Sequence, residues 1–244
     1  MSKLPKITIF FWIMKICATT LGETAGDAFS MSMDLGYLVS TGIFAVIVIA
    51  AVALQIRAKQ FHPFLYWFTI IATTTVGTTL ADFATRSLGI GYTGGSAILL
   101  TLVGASLLIW RWVMGSVSVD QVNTPTGEMF YWVTIIFSQT LGTALGDWFA
   151  DTADFGYLGA AVVFGGVLLI VVALYYFTSI SRVILFWFAF IMTRPLGAVV
   201  GDFLDKPLDH GGLDLSRYTA SLILIAIIVV CIFIFPQKAS EKPH

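Results

Sequence analysis

The sequence predicts an all-α integral membrane bundle of eight transmembrane helices, built as four parallel two-helix repeats in two pseudo-symmetric halves. Of its 244 residues, 58% are hydrophobic and only 11% are charged, whereas a soluble domain carries about 25% charged residues. Three uncharged stretches are long enough for the roughly 20 residues that cross a bilayer, at 35–56, 87–110 and 155–181. The third observation is a motif that recurs four times.

The motif is Leu or Val, Gly, four residues and Asp. It reads LGETAGD at 21–27, VGTTLAD at 76–82, LGTALGD at 141–147 and LGAVVGD at 196–202. An offset of 120 residues carries Gly22 onto Gly142 and Gly77 onto Gly197. Self-similarity at fixed spacing is the sign of a repeat architecture, and two rounds of duplication explain this pattern.

Each repeat is predicted to contain two spans, the first ending near the motif Asp and the second following a tyrosine. The repeats run over approximately 8–57, 62–112, 128–180 and 183–236, within a single transmembrane domain of residues 1–244. The first 20 residues superficially resemble a signal peptide, but the motif follows directly, so we expect a retained first helix. The loop at 115–127 is a linker between the halves.

Two further patterns concern the ends of the spans. Ten residues before each motif glycine stands a tryptophan, which we interpret as an aromatic belt at the membrane surface: Trp12, Trp67, Trp132 and Trp187. Eight Lys and Arg residues fall at the ends that include both termini, and three fall at the opposite ends. The positive-inside rule then predicts that both termini lie in the cytoplasm. The expected location is the inner (plasma) membrane, which the chain crosses several times.

The motif glycines are predicted to pack helices together. Small residues four apart share a helix face and allow two membrane helices to approach closely. The glycines assigned to this role are Gly22, Gly26, Gly77, Gly142, Gly146, Gly197 and Gly201.

The motif aspartates have a different explanation, because packing against glycine needs no carboxylate. A charged Asp at the centre of a membrane helix costs about 2.5–3.5 kcal/mol, and such residues generally face partners, water or ions. If the odd-numbered helices converge, five carboxylates form a metal site: Asp27, Glu23, Asp82, Asp147 and Asp202. Their oxygens suit Mg²⁺, Ca²⁺ or Mn²⁺, and a proton or Na⁺ fits equally well.

Other polar residues of the same segments complete the predicted ion-binding set. Thr20, Thr78 and Thr143 supply hydroxyl groups, and Arg194 neutralises one carboxylate. In the alternative interpretation the aspartates only cap helices or bind Arg and Thr. Lys15, alone in an apolar stretch, is expected to reach the cytoplasmic surface, or else to pair with a carboxylate on another helix.

The predicted function is therefore membrane transport of a cation, a divalent metal such as Mn²⁺ or Mg²⁺, with the aspartates as ligands or proton carriers. The metal is a substrate, and no resident cofactor is indicated. The alternatives are a non-transporting scaffold or sensor, and a binding site for a small organic or lipid-like molecule. No catalytic triad, Walker loop or dinucleotide fingerprint is present, so an enzyme is not expected.

The partners follow from the same composition. The lipid bilayer is the expected surroundings, and a homo-oligomer is compatible with the sequence. A net charge of −1 gives no electrostatic basis for binding nucleic acid.

The fourfold Leu-Gly-x-x-x-Gly-Asp pattern, with its upstream Trp and downstream Gly-Tyr, resembles a family of bacterial multispanning membrane proteins known only as a repeat of unknown function. The similarity covers roughly residues 8–236. It implies a bacterial inner-membrane protein, and it carries no mechanism.

Overall fold

The computed structural model describes residues 3–119, 122, 124–235 and 237–240. Within these residues the chain forms eight α-helices and no β-sheet, as the sequence predicts. The helices are α1 (Ile9–Asp27), α2 (Gly36–Arg57), α3 (Pro63–Asp82), α4 (Gly91–Met114), α5 (Pro125–Asp147), α6 (Gly156–Phe177), α7 (Arg182–Asp205) and α8 (Arg217–Ile234).

The four odd-numbered helices form an inner ring. Helix α1 packs against α3 and α7, and α5 packs against the same two helices from the opposite side. The even-numbered helices lie outside this ring, each on the inner helix of the next repeat: α2 on α3, α4 on α5, α6 on α7 and α8 on α1. Each repeat therefore reaches over its neighbour, and α8 closes the circle. Since every outer helix returns the chain, all four inner helices run in the same direction.

The division into inner and outer helices explains where the polar residues go. Six helices are long and apolar enough to cross a membrane: α2, α3, α4, α6, α7 and α8. The outer helices bury only about a fifth of their most apolar segment, whereas α3 buries 72% and α7 buries 61%. Helices α1 and α5 are of comparable length, 19 and 23 residues. They carry more polar positions, and the inner ring shields these from lipid.

Each of the first three inner helices ends in the same way. A five-residue π-helical turn follows the motif aspartate, at Ala28–Ser32, Phe83–Ser87 and Trp148–Thr152. The chain then enters the outer helix through a glycine with positive φ, at Gly36 (72°), Gly91 (72°) and Gly156 (65°). A residue without Cβ adopts this conformation at little cost, which accounts for the Gly-Tyr pair of these three repeats. In the fourth repeat a short 3₁₀ turn, Leu208–His210, occupies the inserted loop.

At the opposite end, aromatic side chains fill the ring. Trp67, Trp132 and Trp187 are at most 4% exposed, and Trp110 of α4 packs edge-on against Trp187 with centroids 5.6 Å apart. The prediction of an aromatic belt is wrong for these three residues. They lie on inner helices and face neighbouring helices, so they are part of the core. Residues of an aromatic belt would instead contact lipid headgroups. Of the four tryptophans in the predicted belt, Trp12 alone is partly exposed.

The segments next to both termini meet at this same end. The backbone N–H of Lys6 donates to the carbonyl oxygen of Lys238 at 2.9 Å, and the N–H of Ser240 donates to Leu4 at 2.9 Å. The first and last described segments of the chain therefore lie at one face of the bundle, which we call the termini end. The opposite face, where the motif aspartates lie, is the aspartate end.

Candidate cation site

The motif glycines are the points at which the inner helices touch. A Cβ on the first glycine of each motif would collide with the residue three positions before the first glycine of the next motif round the ring. These pairs are Gly22 with Thr74, Gly77 with Gln139, Gly142 with Arg194, and Gly197 with Thr19. The second glycines repeat the pattern one turn later, as Gly26 with Thr78, Gly146 with Ala198, and Gly201 with Glu23. Thr20 is buried at the α1–α7 contact, where its carbonyl oxygen faces Gly201.

Because these contacts repeat round the ring, equivalent positions of the four repeats lie at the same level. Arg194 of α7 is fully buried and bonds to one side chain from each of the other three inner helices. Its Nη2 donates to Glu23 Oε2 at 2.9 Å, to Thr78 Oγ1 at 2.7 Å and to Thr143 Oγ1 at 2.5 Å. Glu23, Thr78 and Thr143 each directly follow the first glycine of their motif. Four residues of the predicted set thus meet in one place, the Arg194 cluster.

One turn beyond the Arg194 cluster, the four motif aspartates lie at the aspartate end and are almost fully buried, at 1–2% exposure. They are joined in two pairs, each bridged by one cationic side chain. Arg86 contacts Asp82 Oδ1 through Nε at 3.0 Å and Asp147 Oδ2 through Nη2 at 3.3 Å. Lys206 Nζ lies 2.7 Å from Asp27 Oδ2 and 3.0 Å from Asp202 Oδ1.

A fifth carboxylate joins the second pair. Asp205, at the end of α7, is 6% exposed, and its Oδ2 accepts a hydrogen bond from Arg217 Nε at 2.8 Å. Asp27, Asp202 and Asp205 each offer an oxygen within 4.8 Å of the others. Among the described residues this is the single group of three potential metal ligands that lies so close together.

The five predicted metal ligands are thus distributed over three places. Glu23 belongs to the Arg194 cluster, Asp82 and Asp147 share Arg86, and Asp27 and Asp202 share Lys206. The ring does bring the inner helices together. However, three cationic side chains separate the carboxylates, so they do not form the single cage that convergence alone would suggest.

Lys206 follows the last residue of α7 and lies outside the helix. Burial lowers the pKa of its amine, but the carboxylates of Asp202, Asp27 and Asp205 outweigh burial and raise that pKa above its ordinary value. The side chain is therefore a charged ammonium at neutral pH, held among three carboxylates.

Lys15 behaves differently from the prediction. It is fully buried and does not reach the surface, because its position on α1 faces the ring. Its Nζ lies 4.1 Å from the centroid of the Phe190 ring, and within the described part of the chain no hydrogen bond or carboxylate satisfies it. The amine thus has the face of an aromatic ring as its neighbour.

The repeats seen in the sequence and in the ring correspond to a known protein family. The family described as Repeat of Unknown Function (DUF347) matches the chain four times, at residues 10–61, 65–116, 130–181 and 185–236. The chain belongs to this family. Each DUF347 repeat contains one inner helix and the outer helix that follows it. No curated protein and no solved structure gives a significant match to the chain.

In this DUF347 chain, sequence reasoning missed the residues that partner the aspartates: Arg86, Lys206, Asp205 and Arg217. A signal for the first two was available. Both stand four residues after a motif aspartate, and the same 120-residue offset carries Arg86 onto Lys206. Side chains four apart on a helix face the same way. Asp205 and Arg217 carry no such signal, because the inserted loop of the fourth repeat breaks the register between them.

Proposed function

We propose that the protein is a membrane transporter for a cation, a divalent metal such as Mn²⁺ or Mg²⁺, and that the buried carboxylates of the aspartate end bind it or carry the coupled proton. One observation carries the proposal. Four motif aspartates share two cationic side chains, Arg86 and Lys206, so each pair has a surplus carboxylate inside the ring.

A purely structural arrangement has no need for this surplus. A buried ion pair already has to offset the desolvation of both charges, and a second carboxylate on the same cation adds cost without adding a partner. Intramembrane acids of this kind mark ion or proton pathways. The Arg194 cluster continues the line of buried polar groups into the ring, which gives a cation or proton further groups to interact with.

A scaffold or sensor is the second candidate, and one observation favours it. Every motif aspartate has a Lys or Arg nitrogen within 3.3 Å, as expected if the carboxylates only hold the inner helices together. This candidate requires that no cation crosses the membrane through the protein.

The two candidates are separated by flux measurements. The purified protein is reconstituted in liposomes, and fluxes of Mn²⁺, Mg²⁺ and protons are recorded for the wild type, Asp27→Asn and Asp147→Asn. Asp154→Asn is the matched control, because it makes the same substitution at an exposed carboxylate. We expect wild-type and control flux to be equal and Asp27→Asn to lose flux. Unchanged flux in both Asp27→Asn and Asp147→Asn would remove the aspartates from the mechanism.

We also propose the orientation. The excess of Lys and Arg at the termini end favours a cytoplasmic position for that end in a bacterial inner membrane. The aspartate end then opens toward the outside, where a cation enters or leaves.

A further inference from the structure

The two halves of the aspartate end differ, although they derive from the same repeat. The offset of 120 residues carries Thr85 onto Asp205 and Arg86 onto Lys206. Thr85 donates its hydroxyl to the carbonyl oxygen of Ala81 at 2.8 Å, which is a local helical bond. Asp205 adds a carboxylate instead. One half therefore holds two acids and a guanidinium, whereas the other holds three acids, an ammonium and Arg217.

The half with three acids has unsatisfied ligand atoms. Among the described residues, Oδ1 of Asp27 and Oδ1 of Asp205 are buried and have no hydrogen-bond partner. Oδ1 of Asp82 in the other half also lacks a hydrogen bond, but it lies 3.0 Å from Arg86 Nε. A buried carboxylate oxygen without a partner is unfavourable unless it is paired or binds a metal. Oxygens that ligate one cation at about 2.1–2.5 Å lie up to about 5 Å apart, and the three carboxylates offer oxygens within 4.8 Å of each other.

The bridging cations also differ in kind. Arg86 contacts Asp82 and Asp147 through two different nitrogens, and a planar guanidinium is suited to hold two carboxylates in a fixed geometry. Lys206 presents a compact point charge on a flexible stem. Its Nζ is 2.7 Å from Asp27 and 3.0 Å from Asp202, where a bound cation would also be attracted.

The charges select the class of cation. Asp27, Asp202 and Asp205 face Lys206 and Arg217, which leaves one negative charge in excess when all three carboxylates are ionised. If Lys206 moves out, Arg217 faces three carboxylates and the excess becomes two. A divalent cation then neutralises the site, whereas a monovalent one does not.

We propose that Asp27, Asp202 and Asp205 are the ligands of a divalent cation, that Lys206 is the internal counter-ion which this cation displaces, and that Asp82, Arg86 and Asp147 form a second group that does not bind this cation. This inference rests on the proposed transport function and names its binding site. It makes Lys206 a competitor of the substrate, because the three carboxylates hold either the lysine or the metal.

The test is Mn²⁺ binding to the purified full-length protein in detergent, measured by the loss of the free Mn²⁺ signal in electron paramagnetic resonance. We expect Asp205→Asn to weaken binding by about tenfold or more, since ligand charge sets the affinity of carboxylate sites. Asp209→Asn, an exposed carboxylate of the neighbouring loop, should bind as the wild type does.

Lys206 gives the decisive comparison. If the metal displaces the lysine, removing the lysine strengthens metal binding, whereas if the lysine only holds the carboxylates in place, removing it weakens metal binding. Lys206→Met should tighten Mn²⁺ binding by about tenfold. In this variant the carboxylates are always free to bind the metal, because no lysine competes for them. Arg86→Met, at the equivalent position, should change the affinity by less than about threefold. Monodisperse elution of each variant confirms that it is folded.

The inference is overturned if the wild type binds no Mn²⁺, if Asp205→Asn binds as the wild type does, or if Lys206→Met binds more weakly. Its failure can be told apart from failure of transport. Liposomes without Mn²⁺ flux, combined with the expected binding pattern, would reject transport and keep the site. Flux combined with unaltered binding by Asp205→Asn and Lys206→Met would reject the site and keep transport.

Discussion

Arg194 contacts a side chain from each of the other three inner helices, and Glu23 is its acidic partner. Both residues are shielded from solvent and lipid by the ring. A buried ion pair of this kind adds little to stability when compared with apolar residues. Removing one partner, however, leaves an uncompensated charge. The Arg194 cluster therefore sets the relative positions of the four helices through one guanidinium.

Arg194→Met is expected to destabilise the protein by about 3–5 kcal/mol, because Glu23 stays buried without its partner. Thermal unfolding in detergent, followed by loss of monodisperse protein, measures the change. The double variant Arg194→Met/Glu23→Gln should regain a large part of the loss. Equal unfolding temperatures for the single variant and the wild type would contradict the pairing.

Lys15 tests the opposite situation, a buried amine without a carboxylate. Met has a similar volume, and replacing poorly satisfied buried polar groups by well-packed apolar side chains is often neutral or stabilising by about 1–4 kcal/mol. We therefore expect Lys15→Met to unfold at the same temperature as the wild type or higher. A clear loss of stability would mean that the amine has a partner that its contact with Phe190 does not provide.

At the level of helices, the motif glycines determine how closely neighbours in the ring approach. A Cβ on Gly77 would lie 2.9 Å from the backbone carbonyl carbon of Gln139, and α5 can relieve this only by moving. The same addition on Gly42 of α2 would meet nothing within 4 Å. The position of Gly77 on an inner helix is thus sensitive to added volume, whereas the position of Gly42 on an outer helix is not.

Gly77→Ala is expected to destabilise the protein by about 1–3 kcal/mol through overpacking. Gly42→Ala should be neutral or stabilising by up to about 1 kcal/mol, since Ala favours a helix over Gly. Thermal unfolding of both variants under identical conditions makes the comparison. Similar effects of the two substitutions would argue against close contact of α3 and α5.

The sequence predicts which helices form, but it does not predict which helices pack against each other. Apolar length and the repeated motif predicted eight helices, and the structure brings Glu23, Thr78, Thr143 and Arg194 of the predicted set together. Repeat spacing places equivalent residues at one level, but it does not say which helix is next in the ring. For that reason the packing of α2 on α3, the bridging of the aspartates and the burial of Lys15 could not be predicted.

In the whole molecule, the two ends of the ring differ in their side chains. The termini end carries aromatic core and the paired terminal segments, and the aspartate end carries the carboxylates. In a membrane this difference matters, because the two ends meet different compartments.

The proposed orientation predicts which end a membrane-impermeant maleimide reaches. In a Cys17→Ala/Cys231→Ala background, Asp209→Cys at the aspartate end should be labelled in intact cells. Lys59→Cys, in the loop between α2 and α3, should be labelled only after the membrane is permeabilised. Both positions are exposed in the fold, so the reversed labelling pattern would show the opposite orientation.

The most direct test of the account is Mn²⁺ flux into liposomes that contain Asp202→Asn or Asp82→Asn. These two aspartates occupy equivalent positions in their repeats, and each contacts one bridging cation at 3.0 Å. If Asp27, Asp202 and Asp205 bind the transported metal, Asp202→Asn abolishes the flux and Asp82→Asn retains it. Flux through Asp202→Asn equal to that of the wild type would show that Asp202 is not a ligand of the transported metal.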